Sequence, residues 1–260
     1  MEQLRKAKGF ICDMDGVIYH GNKILPGVKE FVEWLYRENK QFLFLTNNSG
    51  KTPKELQEKL ARMGLEVDEH HFYTSALATA EFISRQSPGA HVFVIGEPGL
   101  YNALYEKGIT LDDTSPDYVV IGESSSYNYD NICKAVHHVQ NGARLIGTNY
   151  DLTGPTEQGI MPACRAFVKP IELVTGKEAY YIGKPNPLMM RTGLRLQISV
   201  LLGHFVGSMV ITSLALRIFY GYPWATLAVR IPNALILSAV NVVLLRILLE
   251  NRTLMKMVKK

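Results

Sequence analysis

No aspartate or glutamate occurs in the 71 residues from Ala179 to Leu249, and this acid-free run limits what the chain can fold into. Residues 179–260 carry ten basic side chains and a single carboxylate, Glu250, whereas residues 1–178 carry 18 basic and 23 acidic side chains. The corresponding net charges are +9 and −5. Soluble domains normally intersperse both signs of charge over their surfaces. The sequence therefore predicts two regions of different character instead of one homogeneous globular domain.

The acid-free run contains two apolar stretches separated by a Gly-Tyr-Pro turn. The first, residues 196–216, has 21 residues without a charged side chain, and about 20 apolar residues suffice to cross a bilayer as a helix. The second, Trp224–Leu249, contains two arginines. Basic residues precede the first stretch and follow the second, which favours a membrane hairpin over 197–250, with both ends and the basic tail 251–260 on the cytoplasmic side. The alternative is a pair of helices buried in a soluble core.

The first part of the chain alternates strand-like and helix-like segments. Gln41–Thr46 is a short apolar strand, and Thr52, followed by Pro53 and Glu55, is a helix N-cap signal. This alternation predicts an α/β fold in which helices cover a parallel sheet. Further short strands are predicted at His91–Ile95, Tyr118–Ile121, Arg144–Gly147 and Tyr180–Ile182.

The cellular compartment and one class of partner follow from charge and cysteine content. The N-terminus is charged and shows no signal-peptide pattern, so residues 1–178 are expected to remain in the cytoplasm. The three cysteines, Cys12, Cys133 and Cys164, are far apart in the sequence, which predicts reduced thiols. The acidic balance of residues 1–178 and the absence of a basic stripe argue against nucleic-acid binding.

Two carboxylates follow the first predicted strand, at Asp13 and Asp15, and Gly16 permits a tight turn beside them. Two like charges this close require a cation or a shared proton. A hard divalent cation with oxygen ligands fits, and Mg²⁺ is the usual choice beside phosphate. The pair therefore predicts a metal-assisted site at the end of this strand.

Polar groups also follow two later strands. Thr46, Asn47 and Asn48 supply a hydroxyl, amides and backbone N–H donors, and Lys184 follows Gly183 after the Tyr180–Ile182 strand. Open α/β sheets bind ligands outside the carboxyl ends of their strands, and a lysine there can neutralise charge on a phosphoryl group. Each feature alone is also explained by an ordinary turn or a solvated lysine, but their order along the chain is specific.

These motifs resemble those of the haloacid dehalogenase-like (HAD) superfamily, in its NagD-like and p-nitrophenyl-phosphatase-like subclass. The resemblance covers about residues 8–196 and implies a Rossmann-like core, at 1–77 and 179–196, with an α/β cap inserted at 78–178. The motifs that carry it are D-M-D-G-V-I-Y-H-G at 13–21, T-N-N-S at 46–49, I-G-T-N-Y-D at 146–151 and G-K-P-N-P at 183–187.

The resemblance implies a role for each motif residue. Asp13 would be the nucleophile that forms an aspartyl-phosphate, and Asp15 would be the general acid and then the general base. Thr46 would hold the phosphoryl oxygens, and Lys184 would stabilise their charge. Asp13 and the backbone carbonyl of Asp15 would bind Mg²⁺. The residues expected to line the substrate site are Gly16, Asn47, Asn48, Asn149 and Asp151, the last two being equally well explained as turn residues.

The sequence departs from the family at its fourth motif, an acidic loop that completes the Mg²⁺ shell. That loop should begin shortly after Leu196, but no Asp or Glu occurs there before Glu250. The resemblance therefore implies an incomplete core sheet with an uncovered edge, weak metal affinity and low turnover. The acid-free run thus occupies the place where a metal-binding carboxylate is expected.

Three functions remain open at this level. The first is a Mg²⁺-dependent phosphatase of a small phosphorylated metabolite, such as a nucleotide or sugar phosphate, anchored to the membrane through residues 197–250 with the phosphatase-like part on the cytoplasmic side. The second is an inactive, truncated phosphatase fused to a membrane hairpin, the product of a rearranged or misassigned gene. The third is a transporter component, because residues 207–233 resemble the last helices of folate-type energy-coupling-factor transporter subunits. No pattern specifies an oligomeric state.

Overall fold

The computed structural model describes residues 7–156 and 159–190. All of them lie within one compact unit, Met1–Gly193. No helix in these two ranges is both long enough and apolar enough to cross a membrane. The predicted hairpin at 197–250, the basic tail and the transporter-like segment all lie outside the described residues.

The described residues form short strands alternating with helices, as the sequence predicts. The helices are α1 (Val28–Arg37), α2 (Pro53–Arg62), α3 (Ser75–Gln86), α4 (Pro98–Glu106), α5 (Tyr129–Gln140) and α6 (Cys164–Thr175). The strands are β1 (Gly9–Asp13), β2 (Tyr19–His20), β3 (Lys23–Ile24), β4 (Gln41–Thr46), β5 (Phe72–Thr74), β6 (His91–Ile95), β7 (Thr110–Leu111), β8 (Tyr118–Ile121), β9 (Arg144–Gly147), β10 (Thr153–Thr156), β11 (Gly159–Pro162) and β12 (Tyr180–Tyr181).

Local signals set the helix starts. The predicted N-cap Thr52 is confirmed, because its hydroxyl accepts a hydrogen bond from the Glu55 N–H at 3.2 Å. The Glu55 carboxylate in turn accepts one from the Thr52 N–H at 2.7 Å. This reciprocal pair satisfies two N–H groups that a helix start otherwise leaves without partners. It also lowers the pKa of Glu55, because the hydrogen bonds favour the charged carboxylate.

Two parallel sheets carry the fold. One has three strands in the order β1-β4-β5, and the other has five in the order β12-β9-β8-β6-β7. The small hairpins β2–β3 and β10–β11 are antiparallel. Parallel neighbours need long crossover connections, usually helical. Helices α1, α2, α4, α5 and α6 lie on connections within one sheet, and α3 links β5 of the three-stranded sheet to β6 of the five-stranded sheet. The predicted α/β class is therefore confirmed.

The sheets share one hydrophobic cluster and so pack as a single body. Leu43 and Leu45 of the three-stranded sheet belong to the same buried cluster as Val92 and Val120 of the five-stranded sheet. Helix α3 contributes Ile83 to this cluster. The shared core fixes the two sheets against each other, and this makes a site between them possible.

Two observations bear on the predicted domain limits. Tyr180 and Tyr181, in the predicted core segment 179–196, pair with β9 in the five-stranded sheet. The predicted boundary between core and cap, between residues 77 and 78, falls inside the continuous helix α3. Sequence periodicity identifies a strand but not its hydrogen-bonded neighbour. The division into core and cap stays a prediction.

Several elements carry no clear sequence signal. Strands β2, β3 and β7 have two residues each, too few for an alternating pattern. Helix α6 begins after Ala163, which supplies no side-chain cap, and it contains Pro170. Its start is capped from a distant part of the chain, so local sequence rules do not reveal it.

Candidate active site

Four strands of the five-stranded sheet end in the same pattern, Ile-Gly followed by a polar residue. The patterns are I-G-E at 95–97 and 121–123, I-G-T at 146–148 and I-G-K at 182–184. Because the strands are parallel and adjacent, these ends lie along one edge of the sheet. The polar residues follow the strand order as Lys184, Thr148, Glu123 and Glu97.

The carboxyl ends of the strands in the three-stranded sheet lie next to these polar residues of the five-stranded sheet. Asp13 ends β1 beside Leu45 of β4. The Lys184 ammonium donates a hydrogen bond to Asp13 Oδ1 at 2.5 Å and another to the Leu45 carbonyl at 3.2 Å. Asp13 and Lys184 lie 171 positions apart in the chain, and only the packing of the two sheets brings them together.

Asp15 and Thr46 form the second contact between the predicted catalytic residues. The Thr46 hydroxyl donates to Asp15 Oδ2 at 3.3 Å and accepts from the Asn48 N–H at 3.0 Å. Thr46 is buried, whereas Asp13 and Asp15 are exposed. The structure therefore places all four predicted catalytic residues around one point at the junction of the sheets, with both carboxylates accessible.

Asn47 fixes the backbone on both sides of Lys184. Its side-chain oxygen accepts from the Lys184 N–H at 2.7 Å, and its NH₂ group donates to the Lys184 carbonyl at 3.1 Å. The same NH₂ group donates to Asp151 Oδ2 at 2.7 Å. Gly183 permits this approach, because an added Cβ there would lie 2.6 Å from Asn47 Oδ1 and 2.7 Å from the Asn149 Cβ.

The Gly183→Ala variant tests this close approach. The added methyl group must displace Asn47 or the backbone before Lys184, so the Lys184 ammonium is expected to move away from Asp13. We expect phosphatase kcat/KM to fall by at least about tenfold, since misplacement of a catalytic group by about 1 Å costs up to 100-fold. Thermal unfolding of the same variant is the control for loss of fold. A folded variant with wild-type kcat/KM would contradict this role of Gly183.

The remaining predicted site residues have different positions. Asn149 is fully buried and donates to the Asn47 carbonyl and to Glu123 Oε1, both at 2.9 Å, so it supports the site from behind. Asn48 accepts from the Gly50 and Lys51 N–H groups and shapes the loop after β4. Gly16 does not line the cavity described below. It has a φ of 77° and makes the turn after Asp15, a conformation that glycine adopts without strain.

Tyr19 is a site neighbour that sequence reasoning did not identify. It is buried, its hydroxyl hydrogen-bonds to Asp15, and the Lys59 ammonium lies 3.8 Å from its ring centroid. Burial, reinforced by the Asp15 and Asp13 charges, raises the pKa of Tyr19, and burial lowers the pKa of Lys59. A tyrosine four residues after an Asp-x-Asp pair gives no signal by itself.

A cavity of about 870 Å³ opens between the two sheets over these residues. It is lined from both sheets and by the β10–β11 hairpin, and none of the described residues that line it is aromatic. Carboxylates outnumber amines in its lining, so an anionic ligand needs Lys51, Lys184 or a bound cation for charge balance. The charged lining residues are Asp13, Asp15, Lys51, Glu55, Glu97, Glu123, Asp151 and Lys184.

The site supplies hard oxygen donors for a cation. Across residues 7–156 and 159–190, no group of three or more His, Cys, Asp and Glu side chains could hold a metal ion. Mg²⁺ is commonly bound by one or two carboxylates, while waters and substrate phosphate complete its shell. The exposed Asp13 carboxylate and the backbone carbonyl of Asp15 would therefore offer oxygen donors that fit Mg²⁺, as a partial set of protein ligands.

Comparisons with known proteins agree with this geometry. A sequence profile described as haloacid dehalogenase-like hydrolase matches residues 10–110. Ribonucleotide monophosphatase NagD of Escherichia coli strain K12 is 42% identical over 187 residues, or 72% of this chain and 73% of that protein. Dihydroxyacetone phosphatase of Corynebacterium glutamicum strain R is 42% identical over 185 residues, or 71% of this chain and 67% of that protein. These comparisons lend no support to the transporter resemblance.

A solved structure shows the same similarity in three dimensions. NagD from the E. coli K-12 strain superposes with a TM-score of 0.69 and 41% sequence identity, covering 74% of this chain and 75% of that one. The resemblance inferred from the motifs at strand ends is thereby confirmed. The chain belongs to the haloacid dehalogenase-like hydrolases, and the relatives that it matches over most of their length are phosphatases.

Proposed function

We propose that this chain hydrolyses small phosphate monoesters through a phosphoryl intermediate on Asp13. The observation that carries the proposal is the contact of Lys184 with Asp13 beside the Thr46–Asp15 hydrogen bond. The Asp13 and Asp15 carboxylates and the Lys184 ammonium line an open cavity, and the buried Thr46 hydroxyl bonds to Asp15 beside them. Carboxylates are established nucleophiles in phosphoryl transfer.

In the first half-reaction, a carboxylate oxygen of Asp13 attacks the phosphorus atom, and the bond from phosphorus to the ester oxygen breaks. Asp15, in its protonated form, gives its proton to the departing alkoxide. Lys184 and the Thr46 hydroxyl hold the phosphoryl oxygens. Such transfers depend mainly on positioning and on stabilisation of charge.

In the second half-reaction, water attacks the same phosphorus atom. Asp15, now a carboxylate, takes a proton from that water, and the bond from phosphorus to the Asp13 oxygen breaks. Inorganic phosphate leaves, and both carboxyl groups return to their starting states. Asn47 keeps the Lys184 backbone in place throughout, through its two hydrogen bonds to that residue.

Asp13 and the backbone carbonyl of Asp15 are the proposed Mg²⁺ ligands, and a bound Mg²⁺ would supply positive charge beside the phosphoryl oxygens. The family's fourth motif would add a carboxylate, and no acidic residue follows Leu196 before Glu250. We therefore propose weak Mg²⁺ binding and low turnover.

Hydrolysis of p-nitrophenyl phosphate with and without Mg²⁺ tests the proposal, with E. coli NagD measured in parallel. We expect activity that EDTA abolishes and a half-saturating Mg²⁺ concentration roughly tenfold or more above that of NagD, because even outer ligand partners contribute 10–100-fold to metal affinity. Equal Mg²⁺ dependence would contradict the incomplete ligand set. No turnover at any Mg²⁺ concentration would contradict the phosphatase function and favour the inactive fusion.

The cellular placement is a further part of the proposal. The uncharged residues 196–216 and the basic residues that flank the hairpin support a membrane anchor, with the phosphatase part on the cytoplasmic side. Sedimentation of the expressed chain with membranes, resistant to an alkaline wash, is the expected result. Recovery of the chain in the soluble fraction would contradict it.

A further inference from the structure

We propose that Glu123 is a positioning residue that holds Lys184 in its working place by joining three segments behind the site; this role rests on the proposed function. Glu123 follows β8, the central strand of the five-stranded sheet, and lies at the carboxyl ends of its strands. Its Oε2 accepts from the Ser49 hydroxyl at 2.8 Å. Its Oε1 accepts from the Asn149 NH₂ group at 2.9 Å and from the Cys164 N–H at 3.2 Å.

The contact with Cys164 supplies a cap that helix α6 lacks locally. Ala163 stands at its N-cap position and has no side-chain acceptor. Cys164 is the first helical residue, so its N–H has no partner inside the helix. A carboxylate at this end satisfies the N–H group and interacts favourably with the helix dipole. Glu123 therefore anchors the start of α6 to the end of β8.

The contact with Asn149 leads to the catalytic lysine in two steps. The Asn149 NH₂ group, held by Glu123, also donates to the Asn47 carbonyl at 2.9 Å. Asn47 in turn binds the N–H and carbonyl groups of Lys184. The Ser49 contact ties the same loop after β4 from its other side. Loss of Glu123 would therefore release both ends of the segment that fixes Lys184.

The partners of Glu123 are buried, so loss of its carboxylate would leave their hydrogen-bond donors without an acceptor. Ser49 and Asn149 are both fully buried, and a buried donor that loses its acceptor costs about 1–3 kcal/mol. Glu97 occupies the matching I-G-E position after β6, but its hydrogen bonds go to the N–H and hydroxyl groups of Ser125, two residues after Glu123. Of the two matching glutamates, Glu123 is the one bonded to the three-stranded sheet's loop.

Three substitutions separate positioning from substrate contact and from simple stability. Glu123→Ala removes the acceptor, and we expect kcat to fall about 10- to 100-fold, by the same factor for p-nitrophenyl phosphate and for a small sugar phosphate. Glu123→Gln keeps an acceptor for Asn149 and Cys164, and the Ser49 hydroxyl can turn to accept from the new amide. We expect it to restore kcat to within about threefold of wild type. Glu123→Asp retracts the carboxylate and is expected to be intermediate.

Glu81→Ala is the matched control. Glu81 joins α3 to Lys107, after the end of α4, through a 2.6 Å ion pair and lies outside the cavity lining. Its loss is expected to lower the unfolding temperature and leave kcat unchanged. Equal kcat in Glu123→Ala and wild type at a temperature where both are folded would overturn the proposal. So would an effect confined to the KM of one substrate, because that indicates a direct substrate contact. If Glu123→Ala does not fold, Glu123→Asp decides: kcat equal to wild type would overturn the proposal.

A binding readout separates this proposal from the phosphatase function. We expect inorganic phosphate with Mg²⁺ to raise the unfolding temperature of the wild-type, Glu123→Gln and Glu81→Ala chains, and to raise that of Glu123→Ala much less. A wild-type chain that responds to phosphate without turnover would contradict the phosphatase function and leave Glu123 testable by this shift. Full phosphate responses in Glu123→Ala and Glu123→Asp would overturn the role of Glu123. A wild-type chain with neither response contradicts both proposals.

Discussion

Replacing Asp13 by Asn is expected to lower the hydrolysis of phosphate monoesters by about 10⁴-fold or more. Asp13 is the proposed nucleophile, and loss of a nucleophile typically removes nearly all of the rate that a site contributes. In the wild-type chain, the Met14 N–H donates a hydrogen bond to Asp13 Oδ1 at 2.7 Å. The Asn side chain keeps an oxygen that can accept the same hydrogen bond. The fold around the turn should therefore survive.

Acid quenching during turnover provides the direct measurement for this prediction. Mass spectrometry of the quenched wild-type chain should find one added phosphoryl group on the peptide that contains Asp13, and none in Asp13→Asn. Asp113→Asn is the control, because Asp113 is an exposed partner of Lys134 at 3.3 Å. A phosphoryl group on another residue, or turnover retained in Asp13→Asn, would exclude Asp13 as the nucleophile.

Replacing Lys184 by Met is expected to lower kcat by roughly 10²- to 10³-fold, the second-largest effect. Removal of one donor that stabilises a developing charge in a transition state typically costs this much. The Lys184 side chain is 21% exposed and contacts Asp13 directly. Its ammonium is the proposed partner of the phosphoryl oxygens, and the methionine side chain cannot replace that charge. Parallel kcat and KM measurements test this, since a loss confined to KM would mean that Lys184 only binds the substrate.

Two companion variants sharpen the lysine prediction. Lys184→Arg retains the charge, but the planar guanidinium cannot take the position of an ammonium that donates both to Asp13 and to the Leu45 carbonyl. We expect it to recover little activity. Lys169→Met removes a surface lysine that pairs with Glu172 at 2.7 Å, and it should retain wild-type kcat. Full activity in Lys184→Met would contradict the assignment of Lys184 to the phosphoryl group.

Much of the site could be predicted from sequence because its residues follow strands with clear apolar patterns. Asp13, Thr46 and Lys184 each stand at or just after a strand, and the structure brings all three together. The sequence predicts the strand before Lys184 but not its neighbour, which is β9 of the five-stranded sheet. The lysine reaches Asp13 because the carboxyl edges of the two sheets meet. Position at a strand end was therefore a sufficient guide to the contact between these two residues.

Other parts of the site had no sequence signal that could be recognised alone. Glu123 looks like any acidic residue after a strand, and its matching residue Glu97 has the same Ile-Gly-Glu context. The two differ only in what packs against them. Tyr19 likewise acquires its role from burial beside Asp15 and from Lys59 against its ring. Contacts between distant segments decide such roles, and residue type does not encode them.

The sequence by itself determined the α/β class, the strand ends at which the candidate site residues stand, the hydrolase family and the absence of an acidic residue from Ala179 to Leu249. Each of these depends on local patterns or on residue identity. The tertiary structure alone decided that β12 joins the five-stranded sheet, that Asn47 fixes Lys184, and that Glu123 joins three segments behind the site. The physical reason is that these contacts bring together segments far apart in the chain, through packing and hydrogen bonds that no local pattern specifies.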